Sequence, residues 1–158
     1  MAAVLRPELE MRPMSRRDLD QVEAIEKASY PFPWSRGIFT DCLRVGYRCQ
    51  VLLADAEIAG YSVASLALDE GHLLNLCIAP EARRLGFGSV LLDQVVREAK
   101  VAGMVRLFLE VRPSNRGAVR LYKTNRFRVI GRRPGYYPAD GGREDAVIMV
   151  RHLDEEWT

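Results

Sequence analysis

Leu74-Asn75-Leu76-Cys77-Ile78-Ala79-Pro80, followed at once by Arg83-Arg84-Leu85-Gly86-Phe87-Gly88, is the stretch on which the fold turns. The apolar run over 71–79 predicts a strand, and Pro80 ends it because proline has no ladder donor. Residues 86–103 then read as a long helix. Leu91, Leu92, Val95, Val96 and Ala99 share one face, while Asp93, Arg97, Glu98 and Lys100 turn away from it. Gly103 is the natural C-terminal stop. A second apolar run, 105–111, carries one acid, Glu110. Strand, helix and strand in direct succession predict parallel pairing of the two strands.

Working outward, residues 9–14 alternate apolar and polar side chains and predict a short first strand, with Ser15 as a helix cap and Asp18 at the capping-box position. Residues 16–29 read as a helix buried along Leu19, Val22, Ile25 and Ala28. Pro31 and Pro33 stop it. Ser35 caps a second helix running to about Gly46, with Trp34 and Phe39 at the two positions of a hydrophobic staple. Residues 47–54 and 58–68 predict a hairpin around Asp55-Ala56-Glu57. Downstream, 114–125 reads as a short helix and 127–132 and 146–153 as two closing strands. Between those strands, 134–145 holds three glycines and two prolines and is expected to be a long loop. The order predicts an α/β fold around one mixed sheet.

With 158 residues, 48% hydrophobic and 28% charged, the chain is expected to be a single domain over 1–158, with its core at about 10–152. No apolar stretch approaches the roughly 18 residues of a membrane span, and residues 1–14 build no signal-peptide core, so a cytoplasmic protein is expected. Cys42, Cys49 and Cys77 form an odd set without paired spacing, and His72 and His152 stand far apart. Neither a disulfide framework nor a metal site is expected. Residues 112–133 hold eight of the 23 basic side chains and none of the 21 acidic ones, leaving 15 basic against 21 acidic elsewhere. Such a basic pole suits an anionic partner, or equally the solvated face of a helix and a strand.

Glycines between a strand and a helix let a ligand approach the backbone, and the first amides of the helix point at it. Arg83 and Arg84 add positive charge, so a pyrophosphate-bearing cofactor is the functional reading and a plain turn the structural one. Neither a Walker loop nor the three-glycine dinucleotide fingerprint is present. Further on, Leu109-Glu110-Val111-Arg112-Pro113-Ser114-Asn115 leads into Ala118, Leu121 and Tyr122.

Arg-x-x-Gly-x-Gly opening a helix, a strand ending in an acid, and Asn-x-x-Ala-x-x-Leu-Tyr on the next helix together resemble the GNAT acyltransferase superfamily. Phe32-Pro33-Trp34-Ser35, Leu109-Glu110-Val111-Arg112, Tyr136-Tyr137-Pro138, Asp140 and Gly142-Arg143-Glu144-Asp145-Ala146 are similar to the RimI group within it, over about 10–152. The resemblance implies a GNAT-like sheet of about seven strands flanked by about four helices. It implies acetyl-coenzyme A as co-substrate and, as acceptor, the N-terminal alanine of the eighteenth protein of the small ribosomal subunit. It leaves room for association with the ribosome and calls for no metal, membrane or DNA.

By the same resemblance Glu110 is the general base and Tyr122 the general acid. Leu76, Cys77, Ile78, Arg83, Arg84, Leu85, Gly86, Phe87, Gly88, Ser89 and Asn115 hold the cofactor. Phe32, Trp34, Tyr136 and Tyr137 wall the acceptor groove. Other readings stand beside these. Glu110 could pair with Arg112 or Arg143, Tyr122 could simply pack, and Asn115 could cap its helix. Glu144 and Asp145 could attract a basic peptide or lie solvated. Cys77 invites an acyl-cysteine intermediate, but no histidine nearby in sequence activates it, and a buried inert thiol is expected. The chain departs from the frequent Phe-Asn-Ile-Ala-Val-Asp-Pro pattern at 74–80. A broader N-terminal or lysine acetyltransferase is the near alternative, and a non-catalytic ribosomal RNA-binding module the distant one.

Overall fold

The computed structural model describes residues 6–154. Seven strands form one mixed sheet in the order β1-β2-β3-β4-β5-β7-β6. They are β1 (Leu9–Pro13), β2 (Arg48–Ala54), β3 (Glu57–Ala67), β4 (Glu70–Ile78), β5 (Arg106–Val111), β6 (Arg128–Ala139) and β7 (Gly142–His152). The four α-helices are α1 (Leu19–Ser29), α2 (Arg36–Arg44), α3 (Phe87–Val101) and α4 (Arg116–Thr124). Two compact units divide these elements: the chain up to Val63 with Leu76–Leu91, and Ala64–Asn75 with everything from Leu92 onward.

In the first unit, β1 pairs antiparallel with β2, from Leu9↔Ala54 to Pro13↔Gln50. Ser15 and Asp18 close a capping box over a short 3-10 turn before α1, and Arg12 donates to both Asp18 oxygens at 2.8 Å. Asp55 and Ala56 both take positive φ (49° and 68°), the geometry of the tight two-residue hairpin that links β2 to β3. The core gathers Val22, Phe39, Val51, Tyr61, Val63 and Cys77, and a second group gathers Leu52, Ala59, Phe87 and Leu91. The expected face of α1 needs one correction. Ala28 is exposed, and Glu26 is buried instead. Seven residues past Leu19 and four past Val22, position 26 continues the buried stripe more closely than position 28 does.

In the second unit, β4 and β5 pair in parallel from Glu70↔Arg106 to Leu73↔Leu109, as the strand-helix-strand order requires. Gly103 (φ +84°) ends the α3 segment. β7 lies between β5 and β6, antiparallel to both. The expected long loop over 134–145 is corrected here: most of it belongs to β6 and β7, joined at Asp140-Gly141. Pro134 and Pro138 fit because β6 is the edge strand and has no ladder partner on its outer side. Gly135 (φ +58°) sits where the register slips between Arg133 and Tyr137, and Gly141 (φ +74°) makes the turn. The glycines and prolines read as loop signals thus mark a bulge, an edge and a turn within one hairpin.

Candidate active site

The glycine segment belongs to the first unit. At the end of β4, Ala79 N–H donates to Ala59 O at 2.8 Å, and a Cβ on Gly60 would lie 2.7 Å from Cys77 O. Cys77 and Ala79 therefore direct their main chain toward β3. Strand alternation sends the amides and carbonyls of Leu76 and Ile78 to the opposite edge. There Tyr30 OH donates to Leu76 O and Arg83 Nε to Ile78 O, both at 3.1 Å. The β4–β5 ladder has already ended at Leu73↔Leu109, although β4 runs on to Ile78 and β5 to Val111. The Cys77 side chain, 3% exposed, points into the core.

Arg84 (φ +65°) and Gly86 (φ +83°) both adopt left-handed backbone, which turns the chain sharply into α3. Helical bonding starts with Val90 N–H on Gly86 O, so the amides of Phe87, Gly88 and Ser89 form an unbonded first turn. Arg83, Arg84, Leu85, Gly86 and Ser89 are exposed, whereas the Phe87 ring is buried against Leu52, Ala59 and Leu91. Phe87 can offer a ligand only its main chain. The first turn of α3 thus offers main-chain amides in the arrangement that suits an anion.

Residues 30–35 leave α1 through two prolines. Trp34 packs on Phe39 (centroids 5.3 Å), as the staple requires, and Ser35 Oγ accepts from Ile38 N–H. Phe32 is exposed.

The acid belongs to the second unit. Glu110 stands on β5 opposite Ile148 of β7, with its side chain 23% exposed. Its Oε1 accepts from Arg133 Nε at 3.1 Å, and the Tyr136 phenol lies near the same carboxylate. Tyr136 and Tyr137 meet edge to face at 4.8 Å, and the Arg112 guanidinium lies 4.4 Å from the Tyr137 ring centre. Interaction with Glu110, then partial burial, pushes the Tyr136 phenol up. Burial, then the nearby Glu110 charge, pushes Tyr137 up to about 12. Both tyrosines stay protonated donors at neutral pH.

Tyr122 of α4 is buried, 6% exposed, and packs edge-on against Phe127 at 5.7 Å. Asn115 caps α4, its Oδ1 accepting from Ala118 N–H at 3.3 Å, which leaves the amide NH₂ for other partners. Glu144 accepts from Ser114 N–H and Oγ at 2.9 Å each and from Arg112 at 3.2 Å. Partial burial pushes its carboxyl up, but the Ser114 and Arg112 bonds together outweigh that and hold it below the usual range. Arg112 also donates to Pro138 O at 2.8 Å, and Asp145 accepts from Gly135 N–H at 2.9 Å. Glu144 therefore ties β7 to the segment that follows β5, and Asp145 ties β7 to β6 within the hairpin.

A family model described as "Acetyltransferase (GNAT) family" matches residues 19–127. The chain belongs to the acetyltransferase (GNAT) family. Among relatives of this GNAT chain is the "[Ribosomal protein bS18]-alanine N-acetyltransferase" of Salmonella typhimurium, 37% identical over 137 residues, covering 87% of this chain and 93% of the relative. The crystal structure of the ribosomal-protein-S18-alanine N-acetyltransferase from Escherichia coli superposes with a TM-score of 0.87 and 31% identity, over 95% of this chain and 97% of that one. Arabidopsis thaliana NAA60 in complex with acetyl-CoA shares the fold, with a TM-score of 0.84 and 20% identity, over 94% of this chain and all of that one.

Two residues of this GNAT chain escaped the sequence reading. Arg133, rather than Arg112 or Arg143, pairs with Glu110, because the hairpin carries it across β7 from the edge strand. Glu26 was signalled only by its place on the buried stripe of α1.

Proposed function

We propose that this chain transfers the acetyl group of acetyl-coenzyme A to the α-amino group of a protein N-terminus, and that the acceptor is the N-terminal alanine of the eighteenth protein of the small ribosomal subunit. The observation that carries the reading is a half-buried Glu110, paired with Arg133, in a chain that matches a bS18-alanine N-acetyltransferase along 87% of its length.

The backbone suits the donor. Three first-turn amides of α3, next to the left-handed Arg84 and Gly86, fit a pyrophosphate, and the β4 edge at Leu76 and Ile78 fits an extended amide-bearing arm. When bound, acetyl-coenzyme A supplies the acetyl group as a thioester. An α-ammonium has a pKa of about 7.7 to 8.0, so roughly a tenth to a fifth is free amine near neutral pH. Glu110 need only accept the remaining proton, directly or through water. Tyr122 gives its hydroxyl proton to the departing thiolate, whose pKa of about 8.5 makes that demand modest. Phe32, Trp34, Tyr136 and Tyr137 receive the peptide end, and the tyrosines remain donors because their phenols are pushed up.

The test uses a peptide with an N-terminal alanine and internal lysines, incubated with protein and acetyl-CoA and mapped by fragmentation mass spectrometry. Acetyl on the α-amine alone is expected. Acetyl on lysine, persisting when the α-amine is blocked, would overturn the N-terminal assignment.

A further inference from the structure

Glu26 is 2% exposed in the core of the first unit, where a carboxylate is costly unless donors meet it. Its two oxygens meet different donors: Tyr61 OH on Oε1 at 2.6 Å and the main-chain N–H of Trp34 on Oε2 at 2.8 Å. Tyr61 is itself fully buried and makes an edge contact with Phe39 at 5.6 Å. Phe39 in turn packs on Trp34. Glu26, Tyr61, Phe39 and Trp34 therefore form a closed ring, in which an aromatic ladder supports the Trp34 side chain and the carboxylate holds its backbone. Pro31 and Pro33 have no N–H, so between Tyr30 and Ser35 the main-chain donors are those of Phe32 and Trp34. If the position served only to fill space, an apolar side chain would do so without a desolvation cost.

We propose that Glu26 is a positioning residue for the peptide acceptor, holding residues 30–35 so that Phe32 and Trp34 present a preformed wall to the incoming chain end. The proposal rests on the acceptor reading of that segment given above. It separates the roles of the core: the acceptor wall depends on Glu26, while the first turn of α3 that meets the donor does not.

The test compares wild type, Glu26→Gln and Tyr61→Phe, each in a Trp157→Phe background where Trp34 is the sole tryptophan. A glutamine retains one acceptor oxygen but turns an NH₂ toward one of the two donors. Loss of a bond to a charged acceptor predicts that Glu26→Gln raises KM for an alanine-led peptide at least about tenfold, with KM for acetyl-CoA within about twofold of wild type. Acrylamide quenching of Trp34 should rise in parallel. Tyr61→Phe removes one of the two bonds, should move both readings the same way by less, and carries the test alone if Glu26→Gln does not fold. Unchanged peptide KM and quenching, or an equal loss for both substrates, would overturn the proposal. If the wild type acetylates no peptide, the acceptor reading fails separately, and unchanged quenching would still refute the anchoring role.

Discussion

Arg133 Nε lies 3.1 Å from Glu110 Oε1, so a side chain of the edge strand grips the acid of β5 from two strands away. Tyr136, three residues further along the same strand, places its phenol near the same carboxylate. In the proposed reaction the incoming amine would meet Glu110 beside both.

Removing the cation should therefore matter less than removing the acid. With its side chain 56% exposed, Arg133 contributes a solvent-screened pair. Arg133→Gln should lower kcat by less than about tenfold and leave acetyl-CoA affinity unchanged, measured by steady-state kinetics and by binding titration. A loss as large as that of Glu110→Gln would make Arg133 part of the chemistry itself.

In the proposed reaction Tyr122 protonates a thiolate that is already a fair leaving group. Tyr122→Phe should retain the packing against Phe127 and lower kcat less steeply than Glu110→Gln, by about ten- to a hundredfold. Wild-type turnover in this variant would remove the acid assignment.

Asp18 makes stability depend on pH. The Arg12 bonds, with help from Ser15, outweigh burial and hold its carboxyl below the ordinary carboxylate range. Because the folded group titrates below the unfolded one, its contribution is fully present above about pH 4 and is lost as pH falls through the lower, folded value. Arg12 is 37% exposed, so the contribution is modest, about 1 kcal/mol. Urea unfolding should find wild type more stable than Asp18→Asn by that amount at pH 6, with the gap closing toward pH 2.

Gly60 is needed for space. A Cβ there would lie 2.6 Å from Ile78 Cδ1 and 2.7 Å from Cys77 O, and the carbonyl cannot swing away without moving β4. Gly60→Ala should destabilise the fold by about 1–3 kcal/mol and weaken acetyl-CoA binding, because the displaced strand is the one that carries Leu76 and Ile78. Thermal unfolding and a binding titration read the two effects.

Legibility in the sequence followed locality. Ser15, Ser35 and Gly103 announced their elements because caps and stops are short-range chemistry. The parallel pair β4–β5 followed from strand-helix-strand order alone. The 134–145 segment misled because glycine and proline carry the same signal in a loop and in a bulged edge hairpin. Only the pairing with β7 tells them apart, and that depends on residues across the turn. Arg133 was hidden for the same reason, as its partner lies 23 positions earlier on another strand. Glu26 was hidden because charge argues for solvent, while its helical position argues for the core. The donors that resolve the conflict come from Trp34 and Tyr61.

The central claim is that Glu110 takes the proton of an N-terminal amine. Its most direct test is the rate of coenzyme A release from saturating acetyl-CoA and an alanine-led peptide, for wild type and Glu110→Gln, with acetyl-CoA affinity measured on both. A fall in kcat of about a hundredfold or more is expected, with affinity near wild type and no release from the peptide with a blocked α-amine. A Glu110→Gln protein that turns over at the wild-type rate would contradict it.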